Sequence, residues 1–148
     1  MTINEKYIGN NLEDMLNQSL KECPVVYVII QKRDSRHKIL RDCPGRNYVT
    51  LTDPKERMIA KTNPELFLQL HKPPVLIENI QLAPELYPQI KMYVDQSNEC
   101  GLFLLSSPSL FAAKKTKILQ KGLEERVAVL NVISGRYSSF FPKVIRLK

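Results

Sequence analysis

Apolar residues fall along this chain in short blocks separated by polar stretches, and the spacing within each block predicts its element. In NLEDMLNQSLKEC, Leu12, Met15, Leu16 and Leu20 recur every three or four positions, the stripe of an amphipathic helix. Pro24 ends it, because proline disfavours helical geometry in the residue before it. VVYVII at 25–30 is an unbroken, mostly β-branched run, the pattern of a strand covered on both faces in a parallel sheet. A helix is expected to follow it, ending in RHKIL. YVTL at 48–51 reads as a second strand after the turn marked by Pro44 and Gly45.

Asp53-Pro54 and Asn63-Pro64 each place a capping side chain before a proline suited to the first helical position, which predicts two successive short helices. A third strand is expected at 75–78 and a fourth in GLFLLSS at 101–107. Between them Leu86, Ile90 and Val94 share one helix face, and Pro88 requires that helix to start near Pro84 or to bend. SPSLFAAKKTKILQKGL reads as a basic helix stopping around Gly122, and RVAVLNVI at 126–133 as a fifth strand.

Alternating helices and buried strands predict an α/β fold: a three-layer α/β/α sandwich around a five-stranded, mainly parallel sheet, with residues 1–148 as a single domain. In such a sheet ligands bind beyond the carboxyl ends of the strands, so the informative positions are those just after Ile30, Ile77 and Leu105.

Composition narrows the class. Apolar residues at 43% and charged residues at 25% fit an ordered soluble protein. No apolar run is long enough to span a bilayer, and the first residues lack the basic end and apolar block of a secretory signal, so a cytoplasmic location without membrane association is expected. Cys23, Cys43 and Cys100 form no C-x-x-C pair, and His37 and His71 add no ligand spacing, so no metal site is expected. The 22 Lys and Arg against 15 Asp and Glu favour phosphates, nucleic acid or an acidic partner, although solvated lysines on any soluble surface give the same excess.

CPVVYVII, NYVTLTDPKERMIAKTNPELFLQLHKPPVLIENIQLAPELYPQIKMYVDQ, GLFLLSS and LEERVAVLNVI resemble the ATPase domain of a prokaryotic AAA-type P-loop family. That domain is usually followed by a C-terminal domain of unknown function, which this chain is expected to lack, since it stops soon after the fifth strand. The resemblance covers residues 12–133 and implies a P-loop NTPase-like fold with an AAA-type core.

It also implies an ATP-binding loop, G-x-x-x-x-G-K-[ST], after the first strand. Its four defining positions fall on Ile30, Ser35, Arg36 and His37, and all four are changed. Glycines matter there because a phosphate cradle needs backbone conformations that a Cβ blocks. Arginine's planar fork does not replace the point charge of an ammonium, and imidazole is a poor ligand for magnesium. Asp34 and Ser35 can cap the following helix with their own oxygens and so fill the phosphate position from within.

Family membership further implies two acids at the end of the third strand, one for magnesium and one for the attacking water. Glu78 and Asn79 stand there, and an amide cannot accept a proton as a carboxylate does. Ser106 or Ser107 would supply a polar contact near the terminal phosphate, though serines also cap helices. Arg126 matches an arginine that serves a neighbouring subunit's nucleotide; the plainer alternative is an ion pair with Glu124 or Glu125.

The preferred expectation is a degenerate, non-catalytic ATPase-like domain acting as a binding or regulatory module, with no cofactor and with a protein partner, an intact relative or a second copy. Two alternatives stay open. A remodelled site would bind ATP and magnesium through Arg33 or Arg36, Glu78 and Ser106. A basic surface built from Lys32, Arg33, Arg36 and Lys38, with Lys114, Lys115, Lys117 and Lys121, would bind nucleic acid, although no helix-turn-helix, zinc finger or aromatic stacking motif accompanies it. Finally, Phe140, Phe141, Val144 and Ile145 need cover, either as an added strand or against a second domain or copy.

Overall fold

The computed structural model describes residues 2–108, 126–132 and 145–146. The run VVYVII forms β1 (Val25–Ile30), with all six residues buried. With β2 (Asn47–Thr50), β3 (Val75–Glu78), β4 (Phe103–Ser107) and β5 (Val127–Val132) it builds a parallel sheet in the order β2-β3-β4-β1-β5. Burial on both faces is what allows β1 to be continuously apolar, whereas β2, at the edge, leaves Asn47 and Tyr48 exposed. A sixth strand, β6 (Ile145–Arg146), pairs antiparallel with β5. Five strands were expected from the apolar runs, and β6, which contains Ile145, agrees at that residue with the alternative of an added strand in the tail.

Helices α1 (Thr2–Glu22), α2 (His37–Arg41), α3 (Pro54–Thr62), α4 (Pro64–Leu70) and α5 (Leu86–Asp95) divide between the two faces. Side chains alternate across a strand. Val26, Val28 and Ile30 therefore pack with Leu12, Met15 and Leu16 of α1 and Leu40 of α2. Val25, Tyr27 and Ile29 pack with Ala60 of α3, Phe67 of α4, and Tyr87 and Ile90 of α5. The chain leaves β1 toward one face and leaves β2 and β3 toward the other. This divergence opens a crevice at the carboxyl ends of the strands.

Local signals explain several boundaries. Asp53 Oδ1 accepts from the Lys55 amide at 2.9 Å and Asn63 Oδ1 from the Leu66 amide at 3.2 Å, so each caps its helix ahead of a proline. Pro88 lies in the first turn of α5, where its missing N–H has no helical partner to lose. Gly101 has φ +73°, and a Cβ there would meet the Leu20 carbonyl at 3.0 Å, so glycine lets the chain pass the end of α1 before β4. Among the described residues no helix is long and apolar enough to cross a membrane. The expected basic helix at 107–123 lies almost wholly outside the described residues, as do Phe140, Phe141 and Val144.

Candidate functional site

β1 ends at Ile30, β3 at Glu78 and β4 at Ser107, and their carboxyl ends border a cavity of about 250 Å³. Ile30, Glu78, Asn79, Ser106 and Ser107 line its strand side, while Lys32 and His37 close it from the loop and helix after β1. Arg41 and Thr52 complete the rim. Six of the residues marked by the resemblance, Ile30, His37, Glu78, Asn79, Ser106 and Ser107, thus meet in one place.

Glu78 is the centre of the electrostatics. It is 4% exposed, a depth at which a carboxylate needs partners for both oxygens. Arg41 Nε donates to Oε2 at 2.9 Å and the Tyr48 hydroxyl donates to Oε1 at 2.8 Å. The Arg41 guanidinium also lies against the Tyr48 ring, 5.9 Å from its centroid. The hydrogen bond and charge of Glu78 raise the pKa of Arg41 further, so the guanidinium stays charged. Burial and the bond to Glu78 push the Tyr48 phenol up, which keeps it a donor below about pH 10.

His37 and Arg41 are four residues apart and so share one face of α2. His37 Nε2 lies 2.8 Å from the Gln31 carbonyl; since a carbonyl only accepts, Nε2 carries the hydrogen. That leaves Nδ1 buried, 3.8 Å from Glu78 Oε2 and without a hydrogen-bond partner among the described residues.

The turn between β1 and α2 is closed by its own side chains. Asp34 Oδ1 accepts from the Arg36 amide and from Arg36 Nε, both at 2.9 Å, and Oδ2 accepts from the Arg36 NH2 nitrogen at 2.7 Å. Arg36 and Ser35 consequently face a different groove, between α2 and residues Leu16 and Asn17 of α1. The Arg36 hydrogen bond holds the Asp34 carboxyl below the usual range. A depressed native pKa contributes stability that is complete above the unfolded value and is lost as pH falls through the native one. Acid unfolding measured from pH 7 to 3 should therefore show the wild type losing stability relative to Asp34→Asn below about pH 4, while exceeding it at neutral pH. Parallel pH profiles for the two proteins would show that this turn does not depend on the charge.

Asn79 has φ 62° and ψ 47°, a left-handed conformation that asparagine tolerates better than most residues. It starts the 3-10 turn Ile80–Leu82, and its Oδ1 accepts from Gln81 Nε2 at 3.3 Å. Its evident role is to turn the chain. Arg126 stands apart from the cavity. Parallel register sets Val127 beside Val25, so Arg126 sits at the amino edge of the sheet, where it donates to Asp95 at 2.7 Å. Glu124 and Glu125, the partners expected from sequence, lie outside the described residues.

Arg41, Tyr48, Lys32 and Thr52 belong to the site although the family frame marks none of them. For Arg41 a signal existed, the four-residue step from His37. For Tyr48 none did, because its closeness to Glu78 depends on β2 pairing with β3.

Magnesium and a nucleoside triphosphate do not fit the residues present. Both oxygens of Glu78 are committed to internal donors, the turn offers Asp34 where a phosphate would need bare amides, and the cavity is below the roughly 300–1,000 Å³ usual for ligand pockets. Among the described residues no group of three or more His, Cys, Asp and Glu side chains could hold a metal ion. Set against known proteins, the chain matches no protein-family model, no curated protein and no solved structure.

Proposed function

We propose that this chain is a non-catalytic, ATPase-like domain of P-loop type with a degraded phosphate-binding turn, acting as a binding or regulatory module. The observation that carries the reading is the capture of Glu78 by Arg41 and Tyr48. In phosphoryl transfer a protein supplies mainly positioning and charge, with a metal ion bridging the phosphate oxygens and a polar group orienting the nucleophile. Here a guanidinium and a phenol take up both oxygens of the carboxylate that would hold such a metal, and Asn79, in the place of the second acid, is used for a backbone turn. Both replacements favour a stable carboxyl edge over turnover.

Calorimetric titration of the whole protein with magnesium ATP, followed by a phosphate-release assay, tests the reading. No saturable heat is expected up to about 1 mM nucleotide, and no phosphate above blank. Micromolar binding or measurable turnover would overturn it.

A further inference from the structure

The segment 31–46, which forms the turn after β1 and helix α2, holds six Lys and Arg against two Asp, more than half of the chain's net charge of +7. Asp34 is tied to Arg36, so it does not offset the remaining cations. Lys32 and Arg33 are exposed and carry no ion pair among the described residues, and Lys32 lines the cavity mouth together with Arg41. Arg41 donates to Glu78 through Nε, and its side chain is 49% exposed, so the guanidinium is still open to a ligand from solvent.

The tertiary structure adds what the sequence lacked, an aromatic surface beside these charges. Tyr48 lies on β2, the edge strand, 45% exposed, with Arg41 against its ring. Its hydroxyl is fixed by Glu78, so the ring is held in place before any ligand arrives. Exposed aromatics interleaved with cations along a rim are how proteins hold single strands: bases stack, and phosphates pair with Lys and Arg. An acidic polypeptide would use the charges but would gain nothing from the ring.

We propose that the carboxyl edge of the sheet binds single-stranded nucleic acid, with Lys32, Arg33 and Arg41 pairing with successive phosphates and Tyr48 stacking one base. The proposal deepens the reading of this chain as a binding module by naming the partner. Nucleotide turnover and strand binding are separate measurements, so either can fail alone.

Fluorescence anisotropy of the full chain with a labelled oligothymidylate of about 20 nucleotides is the test. Binding at low salt is expected, weakening steeply as salt rises. The double change Lys32→Ala/Arg33→Ala, at exposed positions that leave the fold intact, should flatten the log–log salt slope by about 1.4, roughly 0.7 for each phosphate that is no longer neutralised. Tyr48→Ala should weaken binding about tenfold, while Tyr48→Phe, which keeps the ring, should stay within about twofold. Absence of binding at low salt, an unchanged slope in the double variant, or equal effects of the two Tyr48 changes would overturn the proposal. So would polyglutamate competing as well as the oligonucleotide, which would mark an acidic-polypeptide site, or equal affinity for a duplex.

Discussion

Arg41→Ala is expected to lower the unfolding free energy by about 2 kcal/mol, and adding Glu78→Gln to the same chain is expected to restore about half of that loss. The reason is the depth of Glu78. Removing one partner of a buried ion pair costs about 3–5 kcal/mol, because the other charge is left without its counter-ion. Arg41 is 49% exposed, so water enters where the guanidinium was and the cost falls below that range. Glutamine carries no charge needing compensation and still accepts from Tyr48, so the alanine at position 41 matters less in its presence. Urea unfolding of the wild type, both single variants and the double variant gives the coupling, expected at about 1 kcal/mol. Additive effects would show that Arg41 and Glu78 are neighbours without an energetic bond, and would remove the support that the capture of Glu78 gives to the proposed function.

Phe103→Ala is expected to cost about 3–5 kcal/mol, a large part of the stability of a domain of this size. Phe103 is fully buried at the start of β4, in register with Val25 on one side and Val75 on the other. Its ring meets Tyr93 of α5 edge to face, with centroids 5.6 Å apart. Truncation leaves a cavity between the sheet and α5 that flanking strands, held by ladder hydrogen bonds, cannot close. Phe103→Leu keeps most of the volume and should cost about 1.5 kcal/mol or less. Chemical unfolding midpoints at constant slope check both values. If the alanine variant lost less than the leucine variant, the contact between α5 and the sheet would be soft instead of close-packed.

The buried phenols of Tyr27 and Tyr87 show the limits of reading such a core as uniformly apolar. Both are fully buried on the α3–α5 face, where burial is the main cause raising each pKa and the two hydroxyls lie close enough to influence one another. They remain neutral between the sheet and α5.

Much of the architecture could be read from local rules. β1 declared itself by six apolar residues in a row, α3 and α4 by a capping side chain before proline, and α1 by its stripe at Leu12, Met15 and Leu16. These signals act within one element, where geometry imposes a period or a cap. The helix cap expected from Asp34 or Ser35 is not formed: α2 starts at His37 without a side-chain cap, and Asp34 binds the Arg36 amide and guanidinium within the turn instead.

The site needed the sheet. Tyr48 and Arg41 reach Glu78 from 30 and 37 residues away, and nothing in either neighbourhood announces the meeting. Arg126 went the other way: a residue that looked part of a nucleotide site lies at the amino edge, paired with Asp95. Sequence by itself determined most of the described elements, the parallel class of sheet and the edge at which the candidate residues gather. Only tertiary structure decided which charges neutralise one another there, because strand order and register, not spacing along the chain, set the distances over which carboxylate, guanidinium and phenol interact.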